Sequence, residues 1–239
     1  MNIKYLIALG MIWTAPVMAS GQDFDFNLDK GITVEESYLQ ESVELMLIRE
    51  QSRADSRELK LSALSNIGEA IKRGVTGGEV LSSLEYLALE GTVNKRAYRN
   101  GRAYPDIRGK AAAYLGELGG PEAKDVLIRM AGAEHDSTVL TQMITALKKI
   151  GLNENQETVN VITVILSHFN MFSPDNLLAL SGLEAYETFA AQNGWKLDPA
   201  SMLVISRIAD GRYHGSIRQR AKQLLTLLRT YQRGNAATR

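Results

Sequence analysis

The sequence predicts an all-helical protein assembled from antiparallel helix pairs, an α-solenoid of about four to five repeats, and three observations lead there. Beyond residue 32 the apolar residues recur at helical spacing, and no stretch alternates with period two for long enough to make a strand. A phrase of helix, glycine stop, proline start and second helix returns along the chain. Its copies, anchored at Gly68, Gly119, Gly151, Glu187 and Arg229, stand 51, 32, 36 and 42 residues apart, which is the spacing of helical repeat arrays.

Taken in order, residues 1–19 have the parts of a cleavable secretory signal. Lys4 supplies the positive start, Tyr5 to Val17 is apolar, and Val17-Met18-Ala19 is a small-x-small cleavage site, with cleavage expected after Ala19. A retained membrane anchor is the competing reading. The apolar run holds about 13 residues and is broken by Thr14 and Pro16, whereas a span needs about 20. The signal implies a periplasmic or secreted protein with no stable transmembrane segment after cleavage. Residues 20–31 read as a flexible acidic arm, because Asp23, Asp25 and Asp29 alternate with isolated Phe24, Phe26 and Leu28. Residues 32–51 read as an N-terminal capping helix, with Thr33 and Glu36 spaced as a capping box and Tyr38, Val43, Leu45, Met46 and Ile48 on its apolar side.

The repeat domain spans residues 52–231, with a basic insertion at 91–105 and a flexible tail at 232–239. Its clearest unit runs from Tyr104 to Gly151. Asp106 is placed to cap a helix that carries Ala111, Ala112, Ala113, Leu115 and Leu118. Gly119 or Gly120 then suits a left-handed stop, and Pro121 suits the first turn of the next helix. Asp55-Ser56-Arg57 leading to Ile67-Gly68 repeats the phrase upstream, and Val139 leading to Ile150-Gly151 repeats it downstream. Leu115, Leu118, Ile144, Leu147, Leu183 and Leu225 are expected in one continuous core. An unrelated helical bundle is the alternative architecture.

The run Asp106-x-Arg108 followed by Ala111-Ala112-Ala113-Tyr114-Leu115-Gly116-x-Leu118-Gly119-x-Pro121-Glu122-Ala123 resembles a HEAT repeat of the short bacterial type. The resemblance implies a right-handed superhelix of helix pairs. It also implies an Asp–Arg ladder along successive repeats, carried here by Asp55, Arg57, Asp106, Arg108 and Arg218, and interrupted where Leu140 and Asn176 stand in the Arg position.

Composition narrows the chemistry. The 239 residues are 45% hydrophobic and 23% charged, the balance of a globular protein, and hold no Cys. Disulfides and thiolate chemistry are thereby excluded. Three histidines, at 135, 168 and 214, lack the i, i+3 or i, i+4 spacing that sets two metal ligands on one helical face. The iron-binding HEAT enzyme deoxyhypusine hydroxylase uses paired His-Glu motifs, and this chain has only Glu134-His135 in reversed order. His168, inside the apolar run Val161 to Phe169, is expected in or near the core; His135 and His214 are expected in turns. No nucleophile elbow, phosphate-cradling loop or dinucleotide fingerprint occurs. No catalytic residue, metal or cofactor is therefore assigned.

Lys and Arg number 27 and so do Asp and Glu, so nucleic acid is not an expected partner, but the charges are segregated. Residues 23–50 hold eight acids and two bases, and residues 205–239 hold eight bases and one acid. Such polarity would allow head-to-tail self-association. Residues 91–110 hold six bases and one acid, with tyrosines interleaved. Arg with Tyr suits carboxylates, phosphates or sugar rings, so Lys95, Arg96, Tyr98, Arg99, Arg102 and Tyr104 are the candidate partner-binding residues. The expected function is a non-enzymatic exported scaffold that binds an envelope or periplasmic protein with an acidic surface. Two alternatives stand beside it: a module for an anionic envelope polymer or lipid headgroup, and a lyase-like accessory enzyme.

Overall fold

The computed structural model describes residues 34–92 and 104–237, and the described chain is built from ten α-helices with no β-strand. They are α1 (Val34–Arg53), α2 (Arg57–Lys72), α3 (Gly78–Leu89), α4 (Pro105–Leu118), α5 (Gly120–Ala131), α6 (Ser137–Ile150), α7 (Glu157–Phe172), α8 (Asn176–Gln192), α9 (Pro199–Asp210) and α10 (Gly215–Ala237). The signal region and the arm lie outside the described residues. So does most of the basic insertion, at 93–103. The first helix continues two residues past its expected end, and α10 continues past 231 to Ala237.

Local chemistry explains most boundaries. Asp136 begins α6 by accepting the Thr138 and Val139 amides at 2.9 and 3.1 Å, and Asp175 and Asp198 cap α8 and α9 in the same way. The α4 start differs from the expectation: Tyr104 is its N-cap and Pro105 its first residue, which places Asp106 inside the first turn. The turn from α4 to α5 is made by Gly119 and Gly120 with φ of 73° and 83°, a conformation that side chains with a Cβ avoid. Gly119 alone stands between the two helices.

The helices touch in two rows. The even row runs α2, α4, α6, α8, α10 and the odd row α1, α3, α5, α7, α9, each member contacting the next, while chain neighbours such as α1 with α2, α3 with α4 and α9 with α10 bridge the rows. Close approach in the even row depends on small residues. At Gly116 a Cβ would fall 2.8 Å from both Cα and Cβ of Ala146, so α4 and α6 meet backbone to backbone. Gly68 is read from sequence as a helix end, yet it lies inside α2, buried beneath the Tyr114 ring. Leu115, Ile144, Leu147, Leu183 and Leu225 are buried in one cluster, and Leu118 packs half-buried against it. His168 is exposed rather than in the core. It shares the outward face of α7 with Val164 and Phe172, and its ring centroid lies 5.0 Å from that of Phe172.

Candidate functional site

Equivalent positions on the even helices are best matched from their N-caps. Ser56, Tyr104, Asp136, Asp175 and His214 precede the five helices, so the fourth residue after each cap is Lys60, Arg108, Leu140, Ala179 and Arg218. Lys60 and Arg108 are both buried. Lys60 Nζ lies 2.5 Å from Glu90 Oε1 and 5.4 Å from the centre of the Tyr86 ring. Arg108 donates from Nε at 2.6 Å and from Nη2 at 3.2 Å to the two oxygens of Glu134. Glu134 also accepts the His135 and Asp136 amides at 2.8 and 2.9 Å, so this carboxylate fastens the end of α5 to the starts of α4 and α6. In each pair a cation from the first turn of an even helix meets a glutamate just past the end of the following odd helix.

The residues assigned to the ladder take these places. Arg57 Nη2 reaches Asp106 Oδ2 at 2.5 Å, a link from α2 to α4 that is about half exposed and so contributes at most about 1 kcal/mol. Asp55 is exposed in the turn before α2, Arg108 holds Glu134, and Arg218 is exposed on α10. Lys60 went unnoticed in the sequence because Arg57-Glu58-Leu59-Lys60 reads as a solvated helix start. Aligning Ser56 with Tyr104 as caps is the signal that finds it.

A third buried cation, Lys124 on α5, meets Glu154 and Glu157 at 3.2 Å each. Burial alone would lower its pKa. The hydrogen bonds that it donates to Glu157 and Glu154 overcome that and hold it above the usual lysine value. A hydroxyl cluster joins α7, α8 and α9: Thr163 Oγ1 lies 2.8 Å from both Tyr186 Oη and Ser201 Oγ, and Ser201 donates to Asp198. Burial raises the Tyr186 pKa far above the tyrosine range. Tyr186 and Ser201 are wholly enclosed, so the cluster ties three helices together and offers no nucleophile to a substrate.

Open surface features lie elsewhere. A groove of about 380 Å³ runs between α4 and α6, lined by Pro105, Gly109, Lys110, Ala113, Thr138 and Gln142 among others. Lys110 is exposed there and forms no ion pair among the described residues. Asp106 and Asp136 at its rim are committed to Arg57 and to the α6 cap. Of the candidate partner-binding residues, Tyr104 is half-buried against the core, while Lys95, Arg96, Tyr98, Arg99 and Arg102 lie outside the described residues. The three histidines are exposed in separate places, and no group of three or more potential metal ligands occurs among the described residues. No described helix is long and apolar enough to cross a membrane.

No model of a known protein family matches the chain, and no curated protein is similar to it.

Proposed function

We propose that this chain is an exported HEAT-like α-solenoid that binds another envelope protein through the α4–α6 groove and the basic segment leading into it. The two-row contact order supports the solenoid reading, since each helix touching the next but one is how stacked helix pairs bury a shared core. Four to five repeats correspond to the five even helices. The observation that carries the binding reading is covalent: Pro105 lines the groove, and Arg102 is three residues before it. At no more than about 3.6 Å per residue, Arg102 stays within roughly 11 Å of the groove and Arg99 within roughly 22 Å. Lys110 on the rim, Arg57 beside Asp106 and the upstream Arg99 and Arg102 outnumber the two groove carboxylates, Asp106 and Asp136, so the neighbourhood of the groove is net positive. An acidic segment of a protein suits that surface.

The test is capture of envelope partners on the tagged chain lacking its first 19 residues, intact and with Arg99→Glu and Arg102→Glu together. Loss of the captured protein with helicity and melting temperature unchanged is the expected result. Unchanged capture would dismiss the segment as a binding element. Binding that persists to purified anionic polymer and collapses with salt would replace the protein partner by a polymer.

A further inference from the structure

Even helices hand the chain to odd helices through connections of unequal length. Gly119 alone joins α4 to α5, while residues 151–156 join α6 to α7 and residues 193–198 join α8 to α9. Turning the chain within a helix pair therefore does not require the longer loops. The two long connections meet, since a Cβ at Gly151 would lie 3.4 Å from Nε2 of Gln192, the last residue of α8. Beside them is a pocket of about 330 Å³, lined by Asn153, Asn155, Gln156, Gln192, Asn193 and the buried Phe189. No charged side chain lines it, and the neighbouring Glu154 and Glu157 turn to Lys124 at 3.2 Å each.

Backbone strain gathers at this pocket. Asn155 and Gln156 hold φ of 49° and 61°, and Trp195, two residues beyond Asn193, holds 62°; among the described residues these are the non-glycine positions with positive φ. Trp195 stacks on Tyr231, with ring centroids 4.7 Å apart and planes 6° from parallel. Asn155 and Gln156 have no such internal use for the conformation. Their side chains are exposed and, like that of Gln192, form no hydrogen bond among the described residues. Asn153 accepts the Val159 amide at 3.2 Å and Asn193 donates to the Lys196 carbonyl at 3.3 Å, so each keeps part of its carboxamide open. Strain with no internal return is a mark of ligand sites.

We propose that this pocket binds a neutral sugar ring, independently of the α4–α6 groove and its partner. A carboxamide presents N–H donors and a carbonyl acceptor, which match hydroxyls that both donate and accept. Without a cation the lining does not select an anion, and without a carboxylate it does not suit a metal ion. Five polar residues of six would leave an apolar ligand facing unpaired donors and acceptors. The volume lies at the lower end of small-molecule sites, roughly 300 to 1,000 Å³, the scale of one small ligand.

The chain lacking its first 19 residues is titrated with glucose, galactose, mannose and N-acetylglucosamine while the side-chain amide signals are followed by nitrogen–proton NMR. At least one sugar should give saturable shifts at Asn155, Gln156 and Gln192. Gln156→Gly keeps the backbone turn without strain, so the melting temperature should hold or rise while the dissociation constant increases roughly tenfold. Gln192→Ala, which leaves that turn untouched, should weaken binding as well. The disaccharide of the sugar that binds separates the two sources of a ring: tighter binding assigns the end of a glycan chain, equal or weaker binding a free sugar, and either keeps the site. No saturable shift with any of the four sugars would overturn the proposal, as would affinity unchanged in both variants. Shifts of the same amides with trialanine and with no sugar would also overturn it, and would assign the pocket to a peptide backbone.

Discussion

Helix α1 opens the odd row and α10 closes the even row, and each makes its main contacts on one side only, α1 with α2 and α3 and α10 with α8 and α9. They meet water differently. The outer face of α10 carries exposed Arg218, Lys222, Thr226 and Arg229, a solvated surface suited to the end of a repeat array. The outer face of α1 carries Val43, Met46 and Leu47. Standing last in a row therefore does not make a helix a cap; the side chains on its free face do. The sequence reading treats residues 32–51 as a capping helix, and its position agrees with that name better than its surface does.

The comparison is broken most forcefully from the interior, where neither end contributes. Glu134→Ala would strand the Arg108 charge, whose partner is 2% exposed, and should lower unfolding free energy by about 3–5 kcal/mol in urea titration. Replacing Arg108 and Glu134 together by Met and Leu should recover most of that loss. Leu115→Ala, in the centre of the core, should cost about 2–5 kcal/mol through lost transfer and an unfilled cavity.

Alkaline titration sharpens the contrast between buried and free groups. Tyr186 and Lys124 both have pKa values raised by folding, Tyr186 by burial and Lys124 by its glutamate partners against the opposing effect of burial. In each case the folded protein keeps a proton that the unfolded chain releases first. Their contribution is complete below the unfolded values and is lost as pH climbs from about 10 toward the folded ones. Thermal stability should fall across that range, and Tyr186→Phe should flatten the fall.

The smallest expected effects lie on the free faces of the two ends. Lys222→Ala on α10 and Met46→Gln on α1 should each shift monomer stability by no more than about 0.5 kcal/mol. Both side chains lie on faces that no described helix covers, so neither change opens a cavity or strands a charge in the core.

Helices of the described chain were largely legible from local signals. The Gly119-Gly120-Pro121 turn and the core leucines act within about one turn of their own positions, and spacing reveals them. The α4 cap is Tyr104 and not Asp106, although Asp is the better capping side chain, because Pro105 takes the first helical position. Burial of His168 was misjudged for a different reason. The run Val161 to Phe169 is apolar nearly throughout, so no period in it tells which face of α7 would be left uncovered.

What the sequence by itself determined is the all-helical class, the glycine turn between α4 and α5 and the core places of Leu115, Ile144, Leu147, Leu183 and Leu225. These follow from hydrogen bonding, capping and hydrophobic period, whose range is about four residues. What only the tertiary structure decided is which faces of those helices are covered and which charges are enclosed. Lys60 meets Glu90 across 30 residues, Arg108 meets Glu134 across 26, and Val43, Met46 and Leu47 are exposed because no described helix lies beyond α1. Burial of a charge or an apolar face depends on neighbours brought from distant parts of the chain, and a local pattern does not record them.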